Sequence, residues 1–378
     1  MKKFIVLLIS CFISSMVYAD KPLKFIISED INWDDNIYLT KDDKKSSGIS
    51  STQLAAKYNN NIPNSSFKIN AGVNVGYNAY TEAPAKNDYM NAGVNLGLNN
   101  EFFKFDEKFI YTADPATSEL TEREKRINNK ISLGYKTSAK KKISLGLSAS
   151  DTYDRYTEDS KNSLNRNRVD LGANIHYNLS TKTSVYAGYR LGIINYENNS
   201  IYNKKNDSMN HSVVAGIEGD ITAKINGKAQ VSYDYRKYDN IINDLKDNAS
   251  LVGYFVSLSY EPSNRNLLTL FGERKMEESV YGRNRYYVSS QVGIEFKQKI
   301  LTKWTASLYA SYENMSYPET VNNKDRSDNL LNIKPSIEYK FREYLFGSIW
   351  YQFKDKLSNV DSVEYVANKV GAQVKFVF

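Results

Sequence analysis

Cysteine is all but missing: Cys11 is the single one in 378 residues, and it lies in the N-terminal apolar stretch. The body of the chain can therefore form no disulfide, no reactive thiol and no cysteine-based metal site. Histidine is nearly as scarce, with only His176 and His211. A nucleophilic triad needs a histidine beside a serine and an acid or amide. Ser212 adjoins His211 and Asn174 shares a face with His176, which is the placement chance gives in polar strands. There is no zinc spacing and no glycine-rich phosphate loop. The acidic stretches KDDKKSSG, NKKNDS and NDLKDNAS lack the regular spacing of a calcium loop. No catalytic residue, cofactor or metal is expected, and a hydrolase ranks last among the functional readings.

Long apolar runs are also missing beyond the first 19 residues, where a spanning helix would need ~20 of them. Residues 1–19 instead combine Lys2 and Lys3, the apolar stretch Phe4 to Met16, and small residues at Val17 and Ala19. This pattern predicts a signal peptide cleaved after Ala19, leaving one domain at 20–378. A lipoprotein reading of LISC at 8–11 would require an unusually short apolar core. The formal charge of +7 is mild and the two signs are interleaved, so no nucleic-acid partner is expected.

What the chain does have is aromatic and alternating. Thirty Tyr and sixteen Phe stand against seven Pro, the composition of strands and aromatic girdles. From about residue 24 a single unit recurs: an alternating segment, a tight turn, another alternating segment and a polar loop. ISLGYKTSAKKKISLGLSASD and VDLGANIHYNLSTKTSVYAGYRLG show it plainly, with no helical pattern between strands. Eighteen segments are predicted, with sixteen as the alternative: 24–40, 49–59, 66–80, 88–99, 101–114, 125–138, 141–157, 165–178, 182–197, 208–221, 223–239, 248–261, 265–277, 284–297, 301–316, 328–341, 343–354 and 364–378.

Short gaps alternate with longer ones rich in Asn, Asp, Lys and Ser, the asymmetry of an outer-membrane barrel with both termini in the periplasm. Pro22, Pro63, Pro84, Pro115, Pro262 and Pro318 fall outside the predicted strands. Pro335 falls inside one, and predicts a bulge or local break.

Alternation alone does not separate a soluble sandwich, whose apolar face is a core, from a barrel whose apolar face meets lipid. Three features favour the barrel. Tyrosines gather near segment ends, as at Tyr153, Tyr233, Tyr286 and Tyr312. Segment lengths suit a tilted crossing of ~9–11 residues plus a rim. The last segment, KVGAQVKFVF, would be a sticky edge in a sandwich but a closing strand in a barrel. It predicts Val370, Ala372, Val374, Phe376 and Phe378 facing lipid, paired with the strand that begins near Lys24. The apolar series ending on Phe378 also resembles the signal read by barrel-assembly machinery. The fold class is thus all-β: a transmembrane, antiparallel, up-and-down barrel in the bacterial outer membrane, in contact with lipid and lipopolysaccharide.

ISEDINWDDNIYLTKDDKKSSGISSTQLAAKY at 27–58, and rim patterns such as NRNRVDLGANIHY, resemble the putative beta-barrel porin 2 family over nearly the whole body of the chain. That resemblance implies an outer-membrane barrel associated with exopolysaccharide or surface-polysaccharide export, and it carries no catalytic residue.

The polar face of each segment gives the lumen-lining candidates: Arg168, Asp170, Arg190, Glu218, Asp234, Arg236, Glu273, Glu295, Lys297, Glu313, Lys334, Glu338, Lys369 and Lys375. Both signs are present, which argues against strong ion selectivity. Tyr287, Tyr309 and Tyr351 are expected inward, where flat faces and hydroxyls suit sugar rings; cross-strand pairing that stiffens the wall is the alternative role for the charges. Because no gap much exceeds a dozen residues, no inward-folded constriction loop or plug is expected. The expected function is a porin-like conduit for a surface polysaccharide or another hydrophilic solute. The alternative is a non-conducting structural or assembly protein that holds a surface partner through its loops.

Overall fold

The structure is a computed structural model that describes residues 22–62, 65–138, 140–197, 206–240, 246–280, 284–318 and 325–378. The predicted signal peptide at 1–19 and Pro63 lie outside the described residues. Alternating, β-branched and aromatic segments form strands wherever the sequence repeats them. They are β1 (Leu23–Asp34), β2 (Ser47–Asn61), β3 (Lys68–Tyr80), β4 (Tyr89–Asn99), β5 (Phe103–Thr112) and β6 (Arg126–Lys136). β7 (Ile143–Tyr156), β8 (Arg166–Asn178), β9 (Thr183–Tyr196), β10 (Ser208–Asp220), β11 (Ile225–Tyr238) and β12 (Asn248–Ser263) follow. β13 (Asn266–Glu278), β14 (Tyr286–Ile300), β15 (Trp304–Ser316), β16 (Ser327–Arg342), β17 (Leu345–Ser358) and β18 (Tyr365–Val377) complete the series.

Each strand pairs antiparallel with its sequence neighbours, and β1 also pairs with β18, so the eighteen-stranded sheet closes on itself. The seal runs from Ile26 opposite Val377 to Asp34 opposite Lys369. Phe25 and Phe378 extend it by exchanging two backbone hydrogen bonds of 2.9 Å. No edge remains unpaired, which is the condition for a sheet to sit in hydrocarbon. Val370 and Val374 are about half exposed on the outside, as their alternation requires, and Phe376 and Phe378 stack at 6.1 Å.

Two prolines interrupt the wall. At Pro335 the pairing of β16 with β17 skips from Ile333–Phe353 to Ser336–Trp350 without changing register, a local break at the missing donor. Pro262, expected in a gap, belongs to the end of β12, where the register with β13 shifts between Tyr260 and Ser263. The first predicted strand also ends early. Residues 35–40 leave the wall because the buried Asn36 amide donates to the carbonyls of Thr40 and Val366 and accepts from the Thr40 amide.

Outward large apolar residues such as Ile31, Val213, Val252 and Ile349 are more than 60% exposed, the reverse of a soluble core. Buried apolar side chains gather inside the barrel at its long-loop end. Tyr287, Met315 and Tyr317 form one cluster, Ile37, Ile49 and Tyr80 a second, and Tyr238, Ala249, Leu251 and Met276 a third.

Candidate lumen constriction and pore lining

Strand alternation sends one set of side chains inward, and the structure brings the sequence-predicted polar set to that face. Lys297, Lys334, Glu338 and Lys369 line a cavity of about 510 Å³ under β14–β18 and β1–β4. Arg168, Asp170, Arg190, Asp234 and Glu273 line a second, of about 390 Å³, under β8–β13. Glu295 and Glu313 share the inward face of their strands' alternation, and Ser289 donates to Glu313 at 2.5 Å. Glu218 is held inside by Lys136 at 2.9 Å, Lys228 at 3.5 Å and the His176 ring at 3.5 Å. Lys375 pairs with Glu338 at 2.7 Å.

The predicted aromatic set divides. Tyr309 stacks on Phe271 at 5.6 Å, and Tyr287 is buried within the lumen against Tyr317. Tyr351 points the other way: its neighbours Trp350 and Gln352 line the cavity, so alternation turns Tyr351 outward, 40% exposed and donating to Asn368. The inward aromatic of β17 is therefore Trp350. Of the two histidines, His176 is inside beside Ser184 at 3.3 Å, and His211 is outside against Tyr189.

The main departure from the sequence expectation is a constriction. Residues 113–125, between β5 and β6, fold into the barrel as a strap. Ser118 at its middle accepts a hydrogen bond from Lys356 on β17 at 3.1 Å. Glu119 accepts from the Ser279 hydroxyl at 2.7 Å and the Val280 amide at 2.9 Å, both in the turn after β13. Arg123 donates to the Ile37 carbonyl at 2.7 Å and covers the Tyr80 ring at 4.5 Å. β5 and β13 lie nearly opposite on the ring, so the strap crosses the lumen. A segment of that length can reach roughly 40 Å at full extension, enough to span such a barrel. The composition gave no distinct signal: ADPATSEL carries Ala and Pro, but so does TEAPAKND between β3 and β4.

The hairpin of β13 and β14 leans inward to meet the strap. Pairing of β13 with β12 stops at Arg274 opposite Tyr254, and beyond that point Met276 packs on the inner face of β11 and β12 against Tyr238, Ala249 and Leu251. Glu278 then reaches Arg236 at 2.9 Å and Arg166 at 2.8 Å, with Arg236 and Glu278 at most 5% exposed. Desolvating such groups is costly, and only their mutual pairing offsets it. Arg236, one of the lumen-lining candidates, lies on the inner face of β11 and is buried there as an anchor of this hairpin.

Loop electrostatics tie the strap to its neighbours. Lys161 contacts Glu122 and Glu124, each at 3.0 Å. The hydrogen bond from Lys161 holds Glu122 below the usual carboxylate range, and the same bond raises Lys161. Lys41 likewise joins Asp361 at 3.0 Å and Glu364 at 2.7 Å, and its hydrogen bond lowers Glu364. A fixed cross-piece thus stands over a polar inner wall, and His176 meets both Ser184 at 3.3 Å and Glu218 at 3.5 Å through the same nitrogen, Nδ1.

In fold, the chain is similar to OpdL of Pseudomonas aeruginosa, with a TM-score of 0.50, 10% identity, and coverage of 96% of this chain and 99% of that one. OccAB4 of Acinetobacter baumannii aligns with a TM-score of 0.48 and 11% identity over 95% of this chain and 99% of that one. No curated protein matches the chain in sequence. The family model described as Putative beta-barrel porin 2 matches residues 26–378. The chain belongs to this family, and with its closed wall and apolar exterior it is a porin-like β-barrel of the outer membrane.

Proposed function

We propose that the protein is a pore for hydrophilic solutes whose passage is divided and narrowed by the 113–125 strap. The observation that carries this reading is the lumen below the strap: two polar cavities, one rich in Ser, Asn and Gln, the other lined by charges of both signs. Such a lining stays hydrated, and its width and donors decide what passes. A surface polysaccharide is the finer reading, supported by the inward Trp350, Tyr309 and Phe271 rings and by the family resemblance. Passage of a polymer requires the strap to be drawn aside, whereas mono- and oligosaccharides can pass beside it.

The density of the long-loop end also favours a second reading, a non-conducting barrel that displays its loops to a surface partner. Planar-bilayer conductance and liposome swelling with sugars of graded size separate the two. The pore reading expects discrete conductance steps and swelling that stops at a size cut-off. A folded barrel that shows neither, at any salt concentration or voltage, is the structural protein.

A further inference from the structure

The larger cavity contains a feature that pairing and wall-building do not require. Trp350 lies flat against the wall: a Cβ placed on Gly371 would come within 2.6 Å of its ring, so only glycine leaves room for the indole there. Its Nε1 donates to Asp30 at 2.8 Å, fixing the ring's direction, while Asp30 also accepts from Asn32 at 2.7 Å. The Lys334 ammonium stands 4.7 Å from the ring centroid and the Lys369 ammonium 5.9 Å. Lys369 is 4.0 Å from Asp34, and Lys334 has no ion pair among the described residues. At the cavity edge the Asn32 Oδ1 acceptor and the Asn78 Nδ2 donor are buried without a hydrogen-bond partner.

We infer that this lumen wall is a binding subsite for an acidic sugar, with Trp350 as the platform and Lys334 and Lys369 as the carboxylate clamp. The chemistry follows from the parts. An indole presents a flat apolar face that suits the C–H face of a pyranose ring. The Lys334 and Lys369 ammonium groups stand over that ring, where they supply charge-assisted hydrogen bonds to a carboxylate seated above the indole. The amides of Asn32 and Gln352, together with the Asp30 carboxylate, face the same cavity and match ring hydroxyls. A neutral sugar would leave Lys334 without an anion, and an aromatic carboxylate would leave the amides unused. The subsite rests on the reading of the lumen as a solute path, and names the solute class that path retains.

The test is isothermal titration of the full-length barrel in detergent with tri-galacturonate, maltotriose and benzoate, run beside bilayer conductance on the same preparation. Saturable binding of tri-galacturonate, at least about tenfold tighter than either other probe, is expected. Lys334→Gln should weaken it by about tenfold and flatten its salt dependence, and Trp350→Leu should abolish it while Trp350→Phe retains part. Lys237→Gln, on β11 and outside that cavity, should leave it unchanged. Since a Trp350 variant can misfold, the deciding variant is Lys334→Gln, a surface-like change in an aqueous lumen. Equal binding of benzoate, or no effect of Lys334→Gln on tri-galacturonate, overturns the subsite. Conductance without binding sinks the subsite alone; binding without conductance sinks the pore reading and leaves the subsite standing.

Discussion

The Ser279 hydroxyl donates to Glu119 at 2.7 Å across the inside of the barrel, joining two loops 160 residues apart in sequence. Lys356 holds the preceding carbonyl from a third direction. The strap is thus tied at both of its far contacts, and its removal has a defined consequence. Deleting residues 116–120 should raise single-channel conductance by about twofold or more, because flow through a narrow pore follows its open section. Glu119→Ala should give a smaller rise with added current noise. Unchanged conductance in the deletion would place the narrowest point elsewhere.

Glu278 is the only carboxylate bonded to Arg236 among the described contacts, and it shares itself with Arg166. Glu278→Gln removes the charge and leaves the buried Arg236 guanidinium without a carboxylate, while Arg166 keeps Asp154 at 3.3 Å. Breaking a buried network by removing one partner costs about 3–5 kcal/mol. Urea unfolding in lipid vesicles should register that loss. A change under about 1 kcal/mol would show that water reaches the arginines.

Acid should loosen the strap from one side only. Glu122 sits below its usual range because Lys161 bonds to its ionised form. A depressed carboxylate contributes stability that is fully present above its unfolded value of ~4.3 and is lost as pH falls through its lower folded value. Both groups are partly exposed, so the global effect is small. Current noise should therefore rise below about pH 4 and stay flat between about pH 6 and 8. Lys161→Gln should show the noisy behaviour already at neutral pH and lose the acid step.

Glu29 faces outward at mid-strand in β1, between Ile27 and Ile31, and accepts from Ser50 at 2.5 Å and Thr52 at 2.6 Å. A lipid-facing carboxylate near mid-depth is unfavourable even when hydrogen-bonded. Glu29→Leu should stabilise the barrel by on the order of 1–2 kcal/mol in vesicles. Destabilisation instead would mean that the outer face of β1 and β2 is covered by protein rather than lipid.

The wall of the barrel was readable from the sequence because its period is local. Val169, Leu171, Ala173 and Ile175 alternate with Asp170, Gly172 and Asn174, and hydrogen bonding to neighbours does not alter which face each takes. The contents of the barrel were not readable in the same way. Ala116, Ser118 and Glu119 look like any loop until the strands that meet them are known, since those strands lie far away in sequence. Tyr351 shows the same limit on a smaller scale. Choosing the inward aromatic of β17 needs the register of that strand, and the sequence WYQF permits either choice until Trp350 is seen on Asp30. Ile37 and Tyr38 were drawn into the first strand by their alternation, yet the Asn36 side chain turns the backbone before they can pair.

The hydrogen bonds between Phe25 and Phe378 also set a kinetic condition on the barrel. They close a loop of roughly 350 residues, and every other strand contact is a short hairpin by comparison. Hairpins can form as the chain emerges, but the contact of highest sequence separation must come last, and contacts of that kind are the slow ones. Until it forms, β1 and β18 are both open edges with lipid-facing apolar sides, the state most exposed to aggregation. Removing Val377 and Phe378 should therefore lower the yield of folded barrel far more than it lowers the stability of the barrels that do close.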